Sequence, residues 1–162
     1  MASLFNKFPF SLHTFKQLGR PSQKAIIWRW AIECNDHPLA DLVLPKLPSK
    51  VDSPSDIPES LWDTFIKHGS EYFQDEMFRY MEIPTEAVQN IILSLHDEIS
   101  EDYESWEDYQ NFYGDRDVPN HPEVNRFPCL APEGDLEVFE DGWHRLHSYV
   151  NQGHKTIPIL EY

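Results

Sequence analysis

Apolar positions along the chain recur at spacings of three and four, the period of a helix buried on one face. Ala25, Ile26, Trp28, Ala31 and Ile32 form one such stripe. A helix is therefore expected to open at Pro21 and Ser22 and to run to about Cys34, with Trp30 turned toward the preceding arm. Leu61, Trp62, Phe65 and Ile66 predict a second helix over 58–68, with Gly69 as its stop. Val88, Ile91, Ile92, Leu95 and Ile99 line one face of a third, from Thr85 as cap to Ile99. The stretch from Ser100 to Tyr113 continues as an acidic helix, with Tyr103, Trp106, Tyr109, Phe112 and Tyr113 interleaved. Between these lies an ambiguous stretch. Tyr72, Phe73, Met77 and Tyr80 fit a helix face over 71–81, whereas Phe78 to Ile83 fits a strand. The expectation is helix first and a short strand at the end.

The arm from Met1 to Gly19 carries Phe5, Phe8, Phe10, Leu12, Phe15 and Leu18, and is expected to pack on the body. Leu39 to Leu47 is short and apolar, and the Pro-, Ser- and Asp-rich run 49–58 reads as a surface loop. In the last stretch the pattern changes. Phe127 to Ala131 reads as a strand, Pro132 to Asp135 as a turn, and Leu136 to Phe139 as a second strand. Asp141-Gly142 breaks it, and Asp141 is the expected cap of a helix with Leu146, Tyr149 and Val150 on its apolar face. Gly153 suits the helix end, and Lys155 to Leu160 reads as a final strand placed at an edge by Pro158. The sum is an α+β fold in which helices cover a small mixed sheet.

The residues Asp141-Gly142-Trp143-His144-Arg145, then Leu146, Tyr149, Gly153 and Thr156-Ile157-Pro158-Ile159, resemble the ParB/sulfiredoxin superfamily. The likeness is confined to residues 127–162. It implies a small mixed sheet of that type at the C-terminal end, in one domain over 1–162. Residues 1–70 would be mainly helical and 74–162 would form the family-like core. It also implies a nucleotide or another phosphorylated ligand at the Gly142 turn, namely ATP, ADP or CTP with magnesium. The physical basis is local. A helix N-terminus offers unpaired N–H groups to phosphate, and a glycine lets a ligand approach the backbone. On this reading Gly142, Trp143, His144 and Arg145 hold the ligand, with Arg145 clasping phosphate, and Glu140 or Asp141 assists a metal or hydroxyl in hydrolysis or phosphate transfer. The chain departs from the subgroups. Trp143 stands where sulfiredoxins carry their reactive cysteine, the partition proteins' Gly-Glu-Arg-Arg is Gly-Trp-His-Arg here, and their DNA-binding region is not present.

Charge changes the picture. The chain of 162 residues has 28 Asp and Glu against 13 Lys and Arg, a net charge of −15. That sign excludes a general nucleic-acid binder and points to solubility, or to a basic protein partner met by imitating a polyanion. Asp97, Glu98, Glu101, Asp102, Glu104, Glu107 and Asp108 are the clustered acids, and reversing Glu101, Glu104 and Asp108 would test that role. An acidic, non-enzymatic interaction protein is accordingly the alternative function. The 40% hydrophobic and 14% aromatic content supplies a core, and a chain of this length buries roughly 70% of its unfolded surface. Cys34 and Cys129 read as reduced thiols of a cytoplasmic protein. Met1 to Phe10 lacks the run of a signal peptide or membrane helix, so no membrane partner is expected. His144 and His147 lie three apart, with His154 and His121 elsewhere, but the third ligand of a metal site is not placed, so no metal is assigned. Tyr149 and Trp143 are candidates for stacking on a base.

Overall fold

The structure, a computed structural model, describes residues 4–35, 38–95, 103–113, 126–132 and 138–162. Within them, helices pack on both faces of a four-stranded mixed sheet. In chain order the elements are β1 (Ser11–Thr14), α1 (Arg20–Ile27) running into a π-helical turn (Trp28–Glu33), and α2 (Ala40–Val43). Then come α3 (Glu59–Tyr72), β2 (Met77–Pro84), α4 (Thr85–Leu95), α5 (Trp106–Tyr113), β3 (Cys129–Ala131), α6 (Trp143–Asn151) and β4 (Thr156–Glu161). The strand order is β1-β2-β4-β3. β2 pairs antiparallel with β1 and β4, whereas β3 and β4 run parallel, as a strand–helix–strand unit requires.

Alternation along the central strands sends side chains to two cores. Met81, Ile83, Ile157, Ile159, Cys129 and Ala131 meet Val88 and Ile92 of α4, Tyr109 of α5, and Leu146 and Tyr149 of α6. Phe78, Leu130 and Leu160 meet Ile26, Ile27, Trp62 and Phe65 on the other face. The arm packs as expected: Phe5, Phe15 and Leu18 are buried, while Phe10 and Leu12 stay exposed. It also contributes β1, an edge strand that the apolar pattern does not announce.

Several expected elements are corrected. α3 passes through Gly69 rather than stopping there, because Gly69 lets the Phe15 ring approach; a Cβ at that position would lie 2.7 Å from it. The strand expected at the end of 71–81 is present and longer, eight residues over Met77–Pro84, but no separate helix precedes it: α3 runs on to Tyr72 and a turn follows. Trp30 packs on Phe73, Phe78 and Tyr162, against the core that Phe15 and Leu18 of the arm join. Thr85 does not cap α4; its hydroxyl donates to the His154 carbonyl at 2.5 Å and its N–H to Lys155 O at 3.0 Å, tying α4 to the entry of β4. Val138 and Phe139 are buried but not in a strand; the remainder of the expected strand, residues 136 and 137, lies outside the described residues. Of the expected acidic helix, 106–113 is helical and 103–105 is not; residues 100–102 lie outside the described residues, as do 96–99 of the preceding helix.

Pro158 does not mark an edge, since β4 lies between β2 and β3. Tyr162 N–H donates to Ala131 O at 3.4 Å, so alternate N–H groups of β4 face β3. The missing N–H of Pro158 therefore falls level with the Phe127 carbonyl. Tyr149 Oη supplies the donor instead, at 2.8 Å, from inside the core. The end of α6 fits Gly153 as expected. Gly153 sits at φ 74°, its N–H donates to Val150 O at 3.1 Å, and His154 N–H donates to Tyr149 O at 3.0 Å. These two bonds make a Schellman termination.

Candidate functional site

The turn from Glu140 to Arg145 is anchored on the outer edge of β3. Leu130 N–H donates to Asp141 O at 2.9 Å, and Glu140 N–H donates to Leu130 O at 2.8 Å. Gly142 then takes φ 106°, and α6 begins at Trp143. The left-handed conformation favours glycine, and so does space: a Cβ on Gly142 would lie 2.9 Å from Cys129 Cα. The close neighbour that this glycine admits is thus a strand of the protein itself. Cys129 Sγ faces the Gly142 carbonyl at 3.4 Å, and burial pushes its thiol pKa up to about 12.

Arg145 lies in the same corner. Nη1 donates to Pro128 O at 2.9 Å and Nη2 to Asp141 Oδ2 at 3.1 Å, and the guanidinium sits 5.7 Å from the Phe127 ring centre. Its side chain is only 14% exposed and that of Asp141 19%, so the pair is shielded from water. Asp141 consequently does not cap α6, whose N-terminus has no side-chain cap. The other expected residues disperse. Glu140 points to Arg29 at 3.9 Å, Trp143 packs edge-on against Phe139, and His144 is exposed.

A cleft of about 180 Å³ opens beside the corner. Asp141, Gly142, His144 and Arg145 line it; Glu140 and Trp143 do not. The remaining walls come from afar: Trp28 and Glu33 of the π-helical turn, Asp52 to Pro54 of the Pro-rich loop, and Phe127. The chain pattern gives no warning of this meeting, because tertiary packing alone brings the segments together. Glu33 is already engaged, accepting from Trp28 Nε1 at 2.6 Å and Arg29 Nη1 at 3.2 Å. The walls carry three carboxylates against one guanidinium, a formal excess of two negative charges with His144 neutral.

The histidines do not converge on a metal. His147 is buried, its Nε2 3.2 Å from Tyr109 Oη and its ring stacked on Trp106, whereas His144 faces solvent. Among the described residues no three His, Cys, Asp or Glu side chains gather as metal ligands. Tyr149 is fully buried and offers no face for a base, whereas Trp143 is half-buried with its ring 5.2 Å from that of Phe139. No helix among the described residues is long and apolar enough to cross a membrane. Compared with protein-family models, curated proteins and solved structures, the chain matches none.

Proposed function

We propose that this chain is a non-enzymatic acidic binding protein that meets a basic protein partner through its surface carboxylates. One observation carries the reading: the cation expected to hold an anion at the Gly142 corner is neutralised internally by Asp141 and the Pro128 carbonyl. What the corner offers a visitor is a cleft with surplus negative charge. α5 adds to this. Tyr109 fixes its inner face in the core, which leaves Glu107 and Asp108 exposed, with Glu104 just before the helix and no basic residue in 106–113. The acids Asp97, Glu98, Glu101 and Asp102 lie outside the described residues. The strand–glycine–helix–strand order of 129–161 supports placing this unit with the ParB/sulfiredoxin type, used here as a scaffold. Parallel pull-downs from lysate with the wild type and the Glu104→Lys, Glu107→Lys, Asp108→Lys variant test the proposal. The expected result is a basic protein captured at low salt, released at high salt and lost by the variant. Capture of nothing, or equal capture by both, refutes it.

A second reading keeps a nucleotide or another phosphorylated small molecule at the corner, with ATP, ADP or CTP and magnesium as the candidates. The observation in its favour is the uncapped N-terminus of α6 opening beside the cleft that His144 and Arg145 line. Calorimetry with the three nucleotides, with and without magnesium, decides it. Saturable heat lost in Arg145→Ala supports the reading; no heat from any of them removes it.

A further inference from the structure

A cavity of about 320 Å³ lies between β1 and the start of α1. We infer that this cavity is a binding site for a small tetrahedral oxyanion, a phosphate or phosphate monoester, held by Ser22, Arg126 and the N-terminus of α1. His13, Gln17, Gly19, Ser22, Tyr80 and Arg126 line it, and no described carboxylate does. Its composition is the reverse of the acid-lined cleft at Gly142.

Four features converge. First, α1 begins at Arg20 with Gly19 as N-cap and no side-chain cap, and the N–H groups of Arg20 and Ser22 have no acceptor among the described residues. Unpaired N–H groups at a helix start, with the aligned peptide dipoles behind them, favour a negative charge in front. Second, Ser22 is only 4% exposed, yet its hydroxyl has no hydrogen-bond partner among the described residues. Its oxygen keeps some contact with solvent through the cavity and is available to donate to an anion there. Third, Arg126 stands at the rim, its charge paired with Glu82 as that of Arg145 is with Asp141, but its side chain is 37% exposed against 14% for Arg145. Glu82 holds it there through one terminal nitrogen, which leaves further guanidinium donors. Glu82 is itself fully engaged, accepting from Tyr80 Oη at 2.5 Å on one oxygen, and from Arg126 and Thr156 Oγ1 (2.9 Å) on the other. It does not line the cavity, although both Tyr80 and Arg126, which bond to it, do. Fourth, Gln17 has its side-chain oxygen committed to Thr14 N–H at 2.9 Å, so its remaining polar group is a donor. Arg20, by contrast, is bound to Glu59 and Asp63 and contributes only its backbone.

The site stands apart from the basic-partner reading and from the Gly142 corner, and its test separates them. Backbone amide shifts of the full ¹⁵N-labelled chain are followed during titration with inorganic phosphate and, separately, with phosphoserine, each against sodium chloride at matched ionic strength. Saturable shifts at Gly19, Arg20, Ser22 and His13 are expected, with binding weakened about tenfold in Ser22→Ala and at least about tenfold in Arg126→Gln. Tighter binding of phosphoserine would assign the rest of the cavity to an organic group; tighter binding of inorganic phosphate would assign a free anion. Shifts no larger than those with chloride, shifts centred on residues 142–145, or affinity unchanged in both variants would overturn the site. Ser22→Ala removes one oxygen, and an unchanged amide spectrum elsewhere shows that the variant is folded.

Discussion

Gly142 shows how one residue type serves two unrelated ends. A glycine at a strand-to-helix corner is what a phosphate needs, and it is equally what a close-packed strand needs. The distance of 2.9 Å to Cys129 Cα from the position a Cβ would occupy identifies the second cause here. Gly153 supplies the control, since it shares a positive φ of 74° but has nothing within 4 Å of a Cβ. Gly153→Ala should therefore cost only backbone strain, about 1 kcal/mol. Gly142→Ala adds a collision with backbone, and a total loss of about 2–4 kcal/mol is expected from the two causes together. Urea denaturation of the two variants checks this, and equal losses would contradict the packing account. The sequence motif shows that the corner needs a glycine. It does not show what comes close to it, because Cys129 is thirteen residues away and its approach is set by the β3–Asp141 bridge. The same limit applies to Arg145. Its position was legible in the motif, whereas its engagement by Asp141 and Pro128 O depends on the fold around it.

Helices announced themselves at the level of elements, and strands did so less. α1, α3 and α4 each bury one face, so their period survives in the chain. β4 is covered on both faces, and β2 buries Phe78 on one face and Met81 and Ile83 on the other, so neither shows the single alternation that marks a half-buried strand. Residues 71–81 consequently fit a helix as well as they fit a strand. Pro158 misled for a related reason: a missing N–H ordinarily excludes a central strand, and here Tyr149 Oη replaces it at the Phe127 carbonyl. That substitution is testable by a double-mutant cycle. Tyr149→Phe strands a buried carbonyl and should cost about 1–3 kcal/mol. Pro158→Ala restores a strand N–H, so the double variant should be more stable than Tyr149→Phe alone. Additive losses in chemical denaturation would show that the two groups do not serve the same carbonyl.

Acid response at the scale of the whole molecule depends on where the shifted groups titrate. His147 of α6 is packed between Tyr109 and Trp106 of α5, joining a helix of the C-terminal unit to the acidic segment. Burial, reinforced by His144, pushes its pKa down to about 4. The unfolded chain therefore binds a proton at this residue at higher pH than the folded chain does. Stability is unaffected above the unfolded value near 6.5 and falls as pH drops toward 4. The carboxylates work in a lower window. Lys24 and Arg20 hold Glu59 below its usual range; for Glu82 burial opposes the shift, but hydrogen bonds from Arg126, Tyr80 and Thr156 outweigh it. Their stabilisation is present above an unfolded pKa near 4.5 and is lost below it. Between pH 6.5 and 5, then, His147 dominates among the shifted groups, and the expected loss is about 2 kcal/mol at about 1.4 kcal/mol per pH unit. His147→Gln keeps a hydrogen-bonding group opposite Tyr109 and cannot titrate. Its unfolding free energy, measured in urea at pH 6.5, 5.75 and 5, should stay level while that of the wild type falls. Parallel curves would mean that the ring is protonated without cost, and that the contact between α5 and α6 is open to water.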